Sequence, residues 1–368
     1  MNPLVPAESP AELRRRLVVR LHAAHVLDPA WSTPFLDVSR EPFMPHITVP
    51  RPWGGQDFTP ADTGYLRALH EDAPLTVRHD NTETLTTTTP APTVTAAMLS
   101  ALGDLPRGSR VLHVGVANGY LTALLSAKTG AEHVTGIELD PRRTTQAREA
   151  LARTGLHPNL VTGDGTHGHA HDAPYDALLS TACLPRVPPA WTRQVRAGGT
   201  IVTRLGHALA ALTVRPDHSA DGPLLPTPAP LGPAPNDPTA TVFLVRPGAR
   251  TTAVLPDLAD DTARLLRGLL QPDVEAVTFY GVGEYRRTVH CLSHPATGSW
   301  ARIEPQGASV HAIEHGGPRD LVGEIAPVLT HWANHDHPTP AHYGLTTTPD
   351  GTHNLWFKTP TGPHWPLP

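Results

Sequence analysis

Val111-Leu-His113-Val-Gly115-Val-Ala117-Asn118-Gly119-Tyr120 is an apolar run that passes into a turn of small residues and then into a helical pattern. Glycines between a strand and a helix let the backbone approach a ligand closely and point helix N-terminal N–H groups at it. Gly136-Ile-Glu138-Leu139-Asp140 follows about twenty residues later, then Gly163-Asp164-Gly165. Next come Ser180-Thr181-Ala-Cys183-Leu-Pro185 and Ala197-Gly-Gly-Thr-Ile-Val-Thr-Arg-Leu-Gly206. A structural turn would satisfy the first piece alone, because the full G-x-G-x-x-G is missing. An acidic residue ending the next strand can accept both ribose hydroxyls, so Glu138 with Leu139 beside it extends the reading. Asp164 ends the strand after that, placed to accept from an adenine amino group, with Gly165 expected to clear room for the ring. An adenosine without pyrophosphate points to S-adenosylmethionine rather than NAD.

Working outward, strands are expected near 110–115, 133–138, 159–162, 175–180 and 199–204, with helices near 119–128, 141–154 and 188–195. Such alternation implies a mostly parallel sheet covered on both faces, an α/β fold of Rossmann-like type. Upstream, residues 11–26 have helical apolar spacing, Trp31 to Pro45 holds a second short helix, Pro50 to Asp80 reads as irregular, and Thr82 to Pro92 is polar before a helix at Thr93–Leu102. Downstream, 207–214 and 240–246 read as an antiparallel pair around a proline-rich hairpin loop at 216–238. Beyond Gly248 the pattern becomes α+β: helices at 257–270 and 318–334, strands at 275–280, 286–293, 300–304 and 308–314, and a hairpin across Pro349-Asp-Gly351. The expected organisation is therefore a catalytic domain over 1–248, with substrate-side elements in 1–92 and a cofactor core in 93–248. A C-terminal α+β domain over 249–368, with peptide recognition as its expected role, follows.

The formal charge of -5 gives no reason to expect a nucleic-acid surface or an anionic membrane partner. No run of about twenty apolar residues offers a bilayer span, and Arg14-Arg-Arg16 lacks the apolar stretch and cleavage pattern of a signal peptide. Two cysteines, Cys183 and Cys291, argue against a disulfide framework and fit a reducing, cytoplasmic setting. Nothing demands an oligomer, and a monomer is compatible with the chain. Among 23 histidines, His167-x-His169-x-His171 and His335-x-His337 tempt a metal reading. Neither completes a recognised ligand spacing such as H-E-x-x-H, so exposed loop histidines are the better reading and no metal is expected.

These segments together resemble the protein-L-isoaspartate O-methyltransferase family. The family's G-x-G-x-G-Y, I-E, G-D-G, P-[FY]-D and T-A-A-x-P elements are matched by Gly115 to Tyr120, Ile137-Glu138, Gly163 to Gly165, Pro174-Tyr175-Asp176 and Thr181 to Pro185. Val38 to Pro45 and Asp72-Ala-Pro-Leu75 resemble two upstream motifs, so the resemblance spans roughly 10–248. It implies an S-adenosylmethionine-dependent carboxyl O-methyltransferase, with Gly115, Ala117, Asn118, Gly119 and Thr181 around the methionine end. His113 stands where the family has an acidic residue that handles the methionine ammonium. Ala117 replaces the middle glycine, adding a methyl group.

A carboxylate acceptor is ionised at neutral pH, with a reference pKa of about 4, so methyl transfer to it needs alignment and dehydration rather than a general base. The family places a Q-T-I-S-x-P segment, with its serine beside the acceptor, where this chain has Thr86-Thr87-Thr88-Thr89-Pro90-Ala91-Pro92. Thr88 and Thr89 are the expected acceptor-orienting residues. A threonine loop that merely caps the following helix is the competing reading. Loss of the serine, and Gly298-Ser-Trp300, Gly317-Pro-Arg319, Trp332 and Trp356 beyond residue 248, resemble homologues from ribosomal-peptide (ATP-grasp, graspetide-type) maturation systems. That implies methylation of an aspartate in a modified, macrocyclic precursor peptide, leading to an aspartimide. General isoaspartyl repair and a non-catalytic binding module are the alternatives.

Overall fold

The computed structural model describes residues 9–51, 54–78, 86–226, 248–280, 288–307 and 309–368. Helix α1 (Pro10–Ala23) starts at a reciprocal capping box between Ser9 and Glu12 and buries Leu13, Leu17, Val18 and Leu21 on one face. Helix α2 (Ser32–Asp37) lies beside it. After β1 (His46–Arg51), the stretch from Pro50 to Asp80 expected to be irregular is ordered where described, into β2 (Gly54–Phe58), α3 (Tyr65–Leu69) and β3 (Leu75–Arg78). The threonine run itself is a strand, β4 (Thr86–Thr89), antiparallel to β3. These form a four-stranded sheet, β2-β1-β3-β4. Leu75 and Val77 alternate inward with polar neighbours, a period-2 pattern too short to stand out in the sequence.

After helix α4 (Pro92–Ala101) the core follows as expected: β5 (Val111–Val114), α5 (Tyr120–Thr129), β6 (Val134–Glu138), α6 (Pro141–Arg153), β7 (Asn159–Thr162), β8 (Tyr175–Leu184), α7 (Pro189–Gln194) and β9 (Val195–Leu205). Strands β5 to β9 are parallel in the order β9-β8-β5-β6-β7, so the chain switches direction across the sheet at β5. Ligands of open α/β sheets lie at the strand C-termini beside such a switch point. Side chains of adjacent strand residues go to opposite faces: Val111, Val202 and Leu209 join one core, Leu112, Ile201 and Ala210 the other.

Beyond β9, β10 (Ala208–Val214) turns back antiparallel, and its next neighbour is β11 (Ala220–Leu225), a strand inside the proline-rich stretch expected to be a loop. The strand expected at 240–246, and 227–238 of that loop, lie outside the described residues. Strands β12 (Ala249–Val254), β13 (Glu275–Tyr280), β14 (Thr288–His294), β15 (Ser299–Pro305) and β16 (Val310–Gly316) form an antiparallel sheet in the order β12-β16-β15-β14-β13. Helices α8 (Asp261–Leu270) and α9 (Leu321–Asn334) pack together between that sheet and the central one. In α9, Val322, Ile325, Leu329 and Trp332 are buried at helical spacing, each Leu or Ile giving about 1.5–3 kcal/mol.

The last strands, β17 (Tyr343–Thr347), β18 (His353–Phe357) and β19 (His364–Leu367), return to the central sheet. Strand β17 pairs with β11, extending that sheet to ten strands. Residues 249–368 thus contribute to two sheets. His353 ties the β17–β18 turn to the loop after β8: its Nε2 accepts from the Val187 N–H at 3.0 Å, while its Nδ1 lies 2.9 Å from the Gly351 carbonyl. Among the described residues, no helix is long and apolar enough to cross a membrane.

Candidate active site

A cavity of about 890 Å³ opens at the C-terminal ends of β5, β6 and β8, within the roughly 300–1,000 Å³ range of small-molecule sites. Thr88, Thr89, His113, Gly115, Ala117, Asn118, Glu138, Leu139, Asp164, Gly165 and Thr181 all line it. Gly119 lies behind the wall: it starts α5 with φ +90°, and a Cβ there would come within 3.3 Å of Ala147 Cβ.

The turn after β5 is built for close approach. Gly115 has φ +87°, and a Cβ on it would sit 2.8 Å from Thr181 Oγ1 and 3.0 Å from the Ala182 nitrogen. The Thr181 hydroxyl donates to the Gly115 carbonyl at 2.6 Å, fixing the adjoining loop. Ala117 also lies in the left-handed region, φ +52°, so the missing glycine costs more than space. A side chain there carries about 1–2 kcal/mol of backbone strain.

Glu138 holds this strained turn. Its Oε2 accepts from the Ala117 N–H at 2.9 Å and its Oε1 from the Asp140 N–H at 3.2 Å. Each oxygen keeps a further lone pair, enough to accept two ribose hydroxyls. Leu139 beside it is 73% exposed while lining the cavity, an apolar surface with no protein covering it.

Asp164 caps the short turn after β7, its Oδ1 accepting from the Thr166 N–H at 2.9 Å and from the Thr166 hydroxyl at 2.8 Å. Those bonds, the backbone one first, hold its carboxyl below the ordinary value. Gly165 lines the cavity, and packing gives a further reason for a glycine there. A Cβ there would run into the Val114 side chain, so close packing against β5 demands the glycine.

His113 is fully buried in β5, with Nδ1 2.8 Å from Thr122 Oγ1 and Nε2 without a partner among the described residues. Burial pushes its pKa down to about 3, so the ring is neutral at pH 7. A neutral imidazole with one open nitrogen therefore occupies the strand position where an acid was the family expectation.

The threonine strand forms the opposite wall, with Thr87 and Thr89 buried and Thr86 and Thr88 exposed. Thr89 Oγ1 accepts from Asn118 Nδ2 at 2.7 Å, while Asn118 Oδ1 accepts from the Tyr120 N–H at 3.1 Å, at the start of α5. Thr87 Oγ1 is buried without a partner among the described residues. Helix α4 draws no side-chain cap from the preceding Ala91; its Thr93 N–H donates to Asp72 Oδ1 at 2.9 Å. The capping task is thus met by Asp72, not by the threonines.

Residues not singled out from the sequence also line the cavity, among them Thr87, Arg51, Arg143 and Arg204. Arg143 donates to the Thr86 carbonyl at 3.0 Å, and Arg204, half-buried, to the Gly206 carbonyl at 3.0 Å. They come from four separate elements or loops, and no local spacing marks them. Cys183 lines the cavity too, and the described cysteines are unpaired.

The parallel core, the switch point at β5 and the turn after it define a Rossmann-like class I methyltransferase fold with an added C-terminal sheet. Residues 56–224 match the family model described as protein-L-isoaspartate(D-aspartate) O-methyltransferase (PCMT). A protein-L-isoaspartate O-methyltransferase of Hyperthermus butylicus is 31% identical over 207 residues, covering 53% of this chain and 76% of that one. One from Polaromonas is 34% identical over 161 residues, 44% and 69% of the two chains. The chain belongs to the protein-L-isoaspartate O-methyltransferase family. It spans 65%, 63% and 60% of the relatives from Ignicoccus hospitalis, Anaeromyxobacter dehalogenans and Methanoculleus marisnigri, which are 35%, 40% and 36% identical in the matched regions. A solved protein-L-isoaspartate O-methyltransferase shares the fold at 18% identity, with a TM-score of 0.53 over 94% of this chain and 100% of that one.

Proposed function

We propose that this protein is an S-adenosylmethionine-dependent carboxyl O-methyltransferase acting on an isoaspartyl-type carboxylate in a peptide or protein. The observation that carries the reading is the Asn118–Thr89 hydrogen bond, which joins the glycine turn and the threonine strand across one cavity. The residues that line the cavity fit the cofactor: Gly115 would leave room for it, Glu138 would accept from the ribose hydroxyls, Leu139 would offer an apolar surface to the adenine, and Asp164 would accept from the adenine amino group. When bound, the cofactor supplies a methyl group on a sulfonium.

The chain's own work is to position and dehydrate the acceptor. Thr89, its oxygen engaged by Asn118, still has its proton to donate to one carboxylate oxygen. The other oxygen is left free to form the O–CH3 bond as the C–S bond breaks. Thr48, Pro50 and Leu75 from the N-terminal sheet line the acceptor side and exclude water there. No general base is required, since the acceptor arrives ionised. In the ester, attack by the following backbone amide nitrogen on the carbonyl expels methanol and closes a succinimide.

Isoaspartyl repair is the leading substrate reading, supported by family membership. A second reading, methylation of an aspartate in a modified precursor peptide with an aspartimide as product, keeps one support: threonines where a serine was expected. Two unpaired cysteines favour a cytoplasmic setting.

The deciding experiment offers the protein and S-adenosylmethionine an isoaspartyl test peptide, the matching aspartyl peptide and any genomically adjacent precursor. Repair predicts a methyl-ester mass gain in the first alone, followed by loss of methanol. Gain in the precursor alone would favour the second reading, and no transfer with any of the three would sink both.

A further inference from the structure

At the opposite end of the parallel strands from the cavity, the short turn at 170–172 brings three metal-competent side chains together. Asp172 Oδ2 lies 3.4 Å from His169 Nε2, and Asp172 Oδ1 lies 2.8 Å from His171 Nδ1. The three ligand atoms all fall within 4.8 Å of one another, and this is the group of its kind among the described residues. Two neighbours fix the carboxylate: Thr135 Oγ1 at the start of β6 donates to Oδ2 at 2.8 Å, and Asn159 Nδ2 at the start of β7 does so at 2.9 Å.

The backbone of His169 is equally fixed. Its N–H donates to Gln194 Oε1 at 2.7 Å, and its carbonyl accepts from the Tyr175 hydroxyl at 2.7 Å. Gln194 also donates to the His167 carbonyl at 2.8 Å. Side chains from α7 and β8 thus hold the backbone of one histidine and those from β6 and β7 hold the acid, while His171 is 86% exposed and held through its hydrogen bond to Asp172. Outer hydrogen bonds that fix a ligand's orientation are what metal sites require beyond the ligands themselves.

We propose that His169, His171 and Asp172 bind a borderline divalent cation of the Zn2+ class. Imidazole nitrogens coordinate such an ion at about 2.0–2.1 Å, and carboxylate oxygens at about 2.0–2.2 Å. The 3.4 Å between His169 Nε2 and Asp172 Oδ2 is already near the spacing of neighbouring ligands in a tetrahedral shell, and exchanging the 2.8 Å His171–Asp172 hydrogen bond for the ion completes the set. With three protein ligands, water fills the remaining position. All three ligands lie in one short segment, 169–172, whose carboxylate Thr135 and Asn159 already tie to β6 and β7, so the bound ion braces that turn at the end of the strands opposite the cavity.

The test uses the full chain without a histidine tag, stripped with a chelator. Zinc chloride is titrated in by calorimetry, and Co2+ is used as a visible probe of low-coordinate nitrogen and oxygen ligation. The expected result is one saturable equivalent per chain, an upward shift of the unfolding midpoint, and at least about tenfold weaker binding in His171→Gln and His169→Gln. His335→Gln, changed in another histidine pair, should bind as the parent does. His171→Gln alters an exposed side chain and keeps the fold, which circular dichroism checks. Absence of a saturable equivalent in the parent, or unchanged binding in folded His171→Gln, overturns the proposal.

Discussion

Asn118 Nδ2 donates to Thr89 Oγ1 across 2.7 Å, and this one bond joins the turn that follows β5 to the strand that faces it. A hydroxyl held by its oxygen has its proton left to give, and its direction is set by the asparagine. Thr89→Val should therefore lower kcat about tenfold, the worth of one hydrogen bond made to the acceptor. The dissociation constant for S-adenosylhomocysteine should stay nearly unchanged, since the role proposed for that hydroxyl is toward the acceptor. Thr88→Val, at an exposed position on the same strand, is the comparison. An equal loss in both variants would remove the assignment.

Glu138 staples the turn through the Ala117 N–H, and in the proposed complex its remaining lone pairs would meet the ribose. Glu138→Gln keeps the shape but turns one acceptor oxygen into a donor. We expect S-adenosylhomocysteine to bind about 10- to 100-fold more weakly, as a charge-assisted hydrogen bond contributes about 1.5–3 kcal/mol. Calorimetric titration reads this directly, and unchanged affinity would move the cofactor elsewhere in the cavity.

The strand–turn–helix run at the cavity was legible because its signals are local. A strand ending in glycine, an acid ending the next strand and a G-D-G turn all sit within a few residues of one another, and backbone geometry forces their side chains to one edge. The N-terminal sheet was not legible. Its strands are short, β2 alone is Gly-Gly-Gln-Asp-Phe with little burial, and its register comes from pairing with β1. The same holds for β11, whose Gly222 and Pro223 read as a loop yet pair with β17 more than a hundred residues later. Thr87 was hidden by its neighbours: four identical side chains show no preference until the strand's alternation buries two of them. At Gly165 close packing against Val114 adds a demand for glycine that no local pattern shows.

His113 should give the protein a measurable pH signature. Its folded pKa, about 3, lies below the ordinary 6.5 because burial disfavours the charged ring. The neutral form is thus favoured by folding. The stability it contributes is complete above pH 6.5 and is lost as the pH falls from 6.5 towards 3. The slope is at most about 1.4 kcal/mol per pH unit for one proton. Buried His70, His290 and His353 shift in the same direction and add to the parent's slope, so the difference between proteins is the readout. Denaturant unfolding at pH 7.5 and pH 5 should show a shallower loss in His113→Gln than in the parent. Equal slopes would mean that the ring is not held neutral.

Ala117 makes an opposite prediction to the usual rule for alanine. In an ordinary helix or strand, Ala→Gly destabilises by about 0.5–1 kcal/mol through the entropy of the unfolded chain. At φ +52° the alanine side chain is strained, and removing it recovers about 1–2 kcal/mol. The second effect exceeds the first, so Ala117→Gly should raise stability by about 0.5 kcal/mol. The Ala117 N–H bond to Glu138 survives the change because it uses only the backbone donor. A small rise in the unfolding midpoint with unchanged S-adenosylhomocysteine affinity is the expected pair of results. A fall in the midpoint would show that the turn relaxes away from the left-handed conformation, and that Glu138 does not hold it there.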